Sequence, residues 1–167
     1  SALLRNNAPF FIPDFTKEVH YEVELVLKIK KLGRHIPERF AMDYVESIGL
    51  GIDFTARDVQ SQLKSKGLPW EKAKGFDYSA AISKFIPVPQ NLDNLNFSLE
   101  RNGSLVQQGN TQQMIHKIPR LISHISEYFT LKIGDYIFTG TPEGVGPVMR
   151  DDELIGKIED REMFRFR

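Results

Sequence analysis

Residues 20–30, His-Tyr-Glu-Val-Glu-Leu-Val-Leu-Lys-Ile-Lys, alternate apolar and polar side chains over eleven positions. Tyr21, Val23, Leu25, Leu27 and Ile29 share one face; His20, Glu22, Glu24, Lys28 and Lys30 share the other, with Val26 the exception. A period of two belongs to a β-strand with one face against a core, so the chain must build a sheet and something to cover it. Asn102-Gly103 lies between Phe97-Ser98-Leu99 and Leu105-Val106. That pattern predicts a tight hairpin within 97–107 whose two turn residues take positive φ.

Other segments add strands and a few helices. After Gly33 and Pro37, Arg39 to Val45 reads as a short helix, and Ile48 to Phe54 as a strand interrupted by Gly49 and Gly51, where backbone can pass close to a neighbour. Thr55 with Asp58 resembles a capping box and Gly67 a helix end, which predicts a helix over 56–65. Ile118, Leu121, Ile122 and Ile125 recur at helical spacing behind Pro119, predicting a helix near 118–128. Tyr136 to Thr139 reads as a strand running into the glycine-rich stretch Gly140 to Pro147, and Leu154 to Ile158 with Met163 to Phe166 as a closing hairpin. With more strands than helices, and hairpins among them, the pattern is that of one β-rich α+β domain.

With 167 residues, 41% of them hydrophobic, the chain can bury one sizeable core. The 22 basic and 22 acidic side chains cancel, and no Lys/Arg cluster could track a phosphate backbone, so nucleic acid is not an expected partner. The absence of cysteine excludes disulfides, thiolate nucleophiles and zinc–thiolate sites. There is no apolar run of bilayer length and no secretory signal, so the expectation is a cytoplasmic protein that does not enter a membrane. His20, His35, His116 and His124 form no spaced pair, and no Gly-x-Ser-x-Gly elbow is present, so zinc hydrolase and serine hydrolase chemistry lack their residues.

Four stretches could carry chemistry. Glu22-x-Glu24 places two carboxylates on one strand face, separated by roughly 6.6 Å of strand rise, where a hard cation such as Mg²⁺ or Mn²⁺ would relieve their repulsion; the polar face of a half-exposed strand predicts the same residues. Asp53 ends a strand, with Arg57 and Gln60 one turn apart on the next helix; a capping Asp and a surface Arg are the plain alternative. Lys74 sits between Trp70 and Gly75-Phe76, where a partly buried ammonium could bind an anionic oxygen, though such a lysine is more often solvated. In the Gly140 to Pro147 loop, backbone N–H groups and the Thr139 and Thr141 hydroxyls could receive a carboxylate.

Taken in order, these segments resemble the fumarylacetoacetate hydrolase family, and within it the small acylpyruvate hydrolase and oxaloacetate decarboxylase branch. The resemblance rests on Tyr-Glu-Val-Glu-Leu at 21–25, Ala-Met-Asp-Tyr-Val at 41–45 and Asp-Phe-Thr-Ala-Arg-Asp-Val-Gln at 53–60. Gly-Leu-Pro-Trp at 67–70, Lys-Gly-Phe-Asp at 74–77, Gln-x-Gly-Asn-Thr-x-x-Met-Ile at 107–115 and Gly-Asp-Tyr-Ile-Phe-Thr-Gly-Thr-Pro-Glu-Gly-Val-Gly-Pro at 134–147 continue it. Each motif is weak alone; their order and spacing are specific, and nearly the whole chain is covered.

The resemblance implies a mixed β-sandwich roll of the family's C-terminal domain type, and a homodimer. It implies Mg²⁺ or Mn²⁺ on Glu22, Glu24 and Asp53, with Arg57, Gln60, Lys74, Gly140 and Thr141 around a small 2-oxo acid. Lys74 and Gln60 take the catalytic roles. The implied activity is cleavage of a C–C bond, by acylpyruvate hydrolysis or oxaloacetate decarboxylation, through an enolate. Members of this branch also carry, ahead of the stretch corresponding to Ser1, a closing lid with a His-x-x-Glu pair. The expectation for residues 1–167 is therefore a single catalytic domain lacking that lid. Two other readings stand beside it: an isomerase or decarboxylase of a hydroxylated dienoate from aromatic breakdown, and a metal-binding, lid-less fragment or subunit without activity.

Overall fold

The computed structural model describes every residue from Ser1 to Arg167. The chain runs β1 (Leu3–Leu4), β2 (Val19–Tyr21), β3 (Val23–Ile29), a 3₁₀ segment Glu38–Tyr44, β4 (Val45–Asp53), β5 (Thr55–Ala56), α1 (Arg57–Ser65) and α2 (Glu71–Lys74). It continues through β6 (Ala80–Ile82), β7 (Ile86–Pro87), β8 (Asn96–Arg101), β9 (Ser104–Asn110), α3 (Ile118–Tyr128), β10 (Tyr136–Phe138), β11 (Gly146–Pro147), β12 (Leu154–Ile158) and β13 (Arg161–Phe166). Three sheets result: β1-β6-β4-β3-β10 with β7 also on β4, β11-β2-β5, and β13-β12-β8-β9. This is the β-rich α+β sandwich roll that the pattern and the resemblance lead one to expect.

The alternation at 23–29 is what makes the sandwich. Val23, Leu25, Leu27 and Ile29 are fully buried, and across the antiparallel pair Val23, Leu25 and Leu27 meet Ile52, Leu50 and Ile48. This apolar face and Phe97, Leu99, Leu154, Ile158, Phe164 and Phe166 of the four-stranded sheet belong to one buried cluster, with Ile118 and Ile122 of α3 in the same core. Fully burying a Leu, Ile or Phe side chain contributes about 1.5–3 kcal/mol, so this face is the main driving force for the fold.

The other face explains Val26. Glu24 lies opposite Gly51 and Val26 opposite Gly49, so β4 presents no side chain there, and Val26 pairs on its other edge with Phe138 of β10 and is fully buried. Gly51 is required because a Cβ on it would lie 2.7 Å from both the Ala81 carbonyl oxygen and Phe138.

Several expected boundaries move for identifiable reasons. The strand expected over 20–30 is two strands: at Glu22 the chain leaves the three-stranded sheet and enters the large one. The helix expected over Arg39–Val45 is a 3₁₀ segment ending at Tyr44, because the Tyr44 carbonyl accepts from Lys30 N–H at 2.8 Å and Val45 pairs with Ile29. Sheet pairing takes the last turn from the helix, and the strand expected from Ile48 begins there. The Thr55–Asp58 capping box does not form. Ala56 occupies the N-cap, the Thr55 hydroxyl accepts from Lys74, and Asp58 instead binds Thr16 Oγ and the Lys17 N–H.

The end of α1 and the β8–β9 turn are as expected. Leu68 N–H bonds the Leu63 carbonyl and Gly67 N–H the Lys64 carbonyl, with Gly67 at φ 63°, a Schellman end to α1. Asn102 and Gly103 both have positive φ, at 52° and 79°, in the β8–β9 turn. No helix is long and apolar enough to cross a membrane. We expect Gly51→Ala to lower stability by about 1–3 kcal/mol, read as a shifted urea midpoint, because the carbonyl it meets is backbone that cannot swing away.

Candidate functional site

The β2–β5 and β3–β4 pairs share one register: His20 faces Thr55, Val23 faces Ile52, and the same count puts Glu22 opposite Asp53. Asp53 N–H bonds the Glu22 carbonyl at 2.9 Å across the break between the sheets. Facing residues of an antiparallel pair point the same way, so two carboxylates meet where like charges destabilise. Glu24, two residues on, presents its carboxylate to the same side. Ligand oxygens of Glu22, Glu24 and Asp53 all lie within 4.8 Å of one another.

Cations answer this cluster. Lys74, at the end of α2, donates at 2.7 Å to Glu22 Oε2, Asp53 Oδ2 and Thr55 Oγ. Arg57, at the start of α1, holds Glu22 Oε1 with one guanidinium nitrogen and Gln60 Oε1 at 2.6 Å with another. Its Nε donates to His20 Nδ1 at 3.3 Å, and His20 Nε2 lies 2.7 Å from Glu18. Gly140 N–H, at positive φ in the loop after β10, donates at 2.6 Å to Glu24 Oε2.

Asp53 Oδ1 and Glu24 Oε1 remain without a protein donor. The donor set is all oxygen and carries three formal charges, which suits a hard divalent cation such as Mg²⁺ or Mn²⁺ and not a thiophilic one. Glu22, Glu24 and Asp53 would hold it. Three carboxylates against Lys74 and Arg57 leave the cluster near −1, and a dication reverses that sign.

The titration behaviour follows from burial and neighbours. Burial pushes the Glu24 carboxyl up to about 7, against the Gly140 N–H bond that favours its anion, and Asp53 and Glu22 push the same way. Burial also raises Asp53, more than its Lys74 bond lowers it. For Glu22 burial works upward too, but hydrogen bonds and charge from Lys74 and Arg57 hold it below its ordinary value. Burial would lower Lys74; Asp53 and Glu22 more than offset this and keep it a firm ammonium.

All eight residues singled out in the sequence are thus placed. Glu22, Asp53, Arg57, Gln60 and Lys74 form one hydrogen-bonded cluster; Glu24 stands beside its carboxylates and is bonded to Gly140 N–H, while Thr141 follows one residue further along the loop. Thr139, Gly140 and Thr141 also line an adjoining cleft of about 610 Å³ with His116, Gln113 and Phe97. Two residues of the site do not stand out in the sequence: Thr55, read there as a helix cap and here the third acceptor of Lys74, and Gln107, which joins Val23 to Thr141 and Pro142. Gln107 opens one of the motifs that carried the resemblance, so its position was visible although its contacts were not.

Comparison with known proteins gives a consistent result. The family described as "Fumarylacetoacetate (FAA) hydrolase C-terminal" matches residues 1–164. The chain is 43% identical to the mitochondrial oxaloacetate tautomerase of Mus musculus over 169 residues, covering 100% of this chain and 76% of that protein. It is 47% identical over 150 residues to the mitochondrial oxaloacetate decarboxylase of Dictyostelium discoideum, covering 89% and 69%. Its fold matches fumarylpyruvate hydrolase from Pseudomonas aeruginosa, crystallised with Mn²⁺ and pyruvate, at a TM-score of 0.94 and 35% identity over 99% of this chain and 74% of that one. The proteins it resembles are enzymes.

Two outcomes are expected. At Mn²⁺ about a hundredfold above Kd, ligand linkage raises wild-type stability by about 2.7 kcal/mol, and Asp53→Ala abolishes the corresponding rise in Tm; an unchanged rise removes Asp53 from the site. In chelator, Glu24 should make stability pH-dependent. Its folded value of about 7 exceeds the ordinary 4.5, so the folded state binds more protons than the unfolded one between them, and stability falls as pH rises through that window. Asp53, also raised, adds in the same direction, and Glu22, held below its ordinary value, opposes only at pH below about 4.5. The Mn²⁺-induced rise in Tm should therefore grow with pH across the window, and a constant increment would contradict this.

Proposed function

This chain belongs to the fumarylacetoacetate hydrolase family, and on that premise we propose that it is a Mg²⁺- or Mn²⁺-dependent enzyme acting on a small 2-oxo acid of the oxaloacetate kind. The observation that carries this reading is the triad: ligand oxygens of Glu22, Glu24 and Asp53 within 4.8 Å of one another, with Lys74 bonded to Glu22 and Asp53 and Arg57 to Glu22. A divalent ion held there would act as a Lewis acid, withdrawing electrons from the 2-oxo group.

The chain's own residues supply the rest. Lys74 gives its three N–H groups to Glu22, Asp53 and Thr55, and it is through its full positive charge that it stabilises the negative charge developing on the 2-oxo oxygen as the neighbouring carbon loses a proton or a carboxyl group. Arg57 presents a fork suited to a substrate carboxylate, and its bond to Gln60 keeps that fork and the Gln60 amide together at the start of α1. Gly140 and Thr141 bound the other edge, where the Thr141 hydroxyl can donate to a second anionic oxygen.

The names of the relatives widen the reaction beyond the C–C cleavage expected from sequence. Loss of CO₂ from oxaloacetate and its keto–enol interconversion put charge on the same oxygen, so one constellation serves both, and the tautomerase relative supports the second. Hydrolysis of an acylpyruvate is the next reading, supported by the fumarylpyruvate hydrolase that shares the fold.

The test is to follow oxaloacetate with purified protein and Mn²⁺, recording enol absorbance and pyruvate together. The expected result is metal-dependent acceleration of one of the two, lowered about 10²–10³-fold by Lys74→Met, the range found when one preorganised stabiliser of a developing oxyanion is removed. Pyruvate release from acetylpyruvate but no change in oxaloacetate would select the hydrolase reading. No turnover of either by protein that binds Mn²⁺ would overturn the proposal in favour of a binding-only chain.

A further inference from the structure

Gln107 is 2% exposed and lies on β9, in the four-stranded sheet, yet its side chain reaches the acidic strand. Its Oε1 accepts at 2.9 Å from Val23 N–H, the backbone group between Glu22 and Glu24. Its Nε2 donates at 2.9 Å to Thr141 Oγ and at 3.0 Å to the Pro142 carbonyl. The amide's orientation follows from these partners: an N–H must meet Oε1 and a carbonyl must meet Nε2, so the reversed amide would break two bonds.

This has a chemical consequence for Thr141. A hydroxyl has one proton and two lone pairs, and here one lone pair takes the Gln107 N–H. Thr141 Oγ donates to no protein acceptor, so its proton is left for whatever oxygen enters the cleft that Thr139, Gly140 and Thr141 line. The loop itself is held on either side: Thr139 N–H and Oγ bond the Leu25 carbonyl, and a Cβ on Gly144 would collide with the Val106 carbonyl. Beside the bonds of Thr139 to Leu25 and of Gly140 to Glu24, Gln107 is the link that ties the strand bearing the carboxylates to the Thr141 hydroxyl itself.

We propose that Gln107 is a positioning residue for substrate binding, one that fixes Thr141 as a donor aimed at an anionic oxygen of the substrate and sets its distance from the carboxylate cluster. The proposal rests on the functional reading above and adds what controls one of its contacts. It also predicts an unusual mutational pattern. In Gln107→Glu the Val23 N–H bond survives on one oxygen, but the other can only accept, so it draws the Thr141 proton and reverses the hydroxyl's polarity. Gln107→Met keeps the length without charge and leaves the hydroxyl unoriented.

The experiment is calorimetric titration of wild type, Gln107→Glu, Gln107→Met, Thr141→Val and the Gln107→Glu/Thr141→Val double variant. Each is titrated first with Mn²⁺ alone and then with pyruvate at saturating Mn²⁺. The expected result is Mn²⁺ affinity within about threefold of wild type throughout. Pyruvate affinity should fall about ten- to a hundredfold in both Gln107 variants and in Thr141→Val, the range of one hydrogen bond to a charged group. The double variant should be no worse than Thr141→Val, because both changes remove one interaction.

Three results would overturn the inference: unchanged pyruvate affinity in the Gln107 variants, equal loss of Mn²⁺ and pyruvate, or losses that multiply in the double variant. The second would make Gln107 a brace for the carboxylates alone. A wild type that binds Mn²⁺ but not pyruvate, or neither, would instead bring down the functional reading, and the inference with it. Gln107→Met carries the test if the charged variant does not fold.

Discussion

Two carboxylates facing each other across an antiparallel strand pair are the constraint on which this molecule turns. Glu22 and Asp53 stand opposite one another where the pair crosses from one sheet to the next, with Glu24 beside them on the same face. Nothing in the sheet requires charge there, and burial makes it costly. Lys74 and Arg57 offset the repulsion, and the short elements α1 and α2 that follow β5 bring those two cations to the cluster. A site that is costly to fold and becomes favourable when a cation enters is the usual relation between stability and function.

The surrounding architecture confines that cost. The apolar face of β3 is fully buried against β4 and the four-stranded sheet, so the register that brings Glu22 opposite Asp53 is locked by Val23–Ile52, Leu25–Leu50 and Leu27–Ile48. A slip of one residue would turn all of those into the site face and the acids into the core. Gly49 and Gly51 clear the same surface of side chains beside Glu24, which lets Phe138 and Val26 close over Gly51 and Phe85 over Gly49. The residues that make the core thereby fix the geometry of the chemistry.

Much of this was legible in the sequence. Alternation at 20–30 marked both faces of the central strand, and the Asn102-Gly103 turn, Gly67 and Pro119 located their elements because each answers a local backbone demand. The acids, Arg57, Gln60, Lys74, Gly140 and Thr141 were identified through the resemblance, whose motifs lie in order along the chain; spacing alone favoured a solvated strand face and a capping Asp. What could not be read depended on long-range pairing. The 3₁₀ segment at 38–44 yields to sheet pairing with β3, the break at Glu22 arises from a change of sheet, and Thr55 and Asp58 are claimed by Lys74 and Thr16. No local pattern predicts the reach of Gln107 from β9 to Val23, 84 positions away in sequence.

The central claim is that three acids distant along the chain converge on one hard cation. Anomalous diffraction from a crystal equilibrated with Mn²⁺ addresses it without reference to turnover. A single strong peak is expected within bonding distance of carboxylate oxygens of Glu22, Glu24 and Asp53 together. A well-ordered crystal with no peak there, or with Mn²⁺ on other residues, would contradict it.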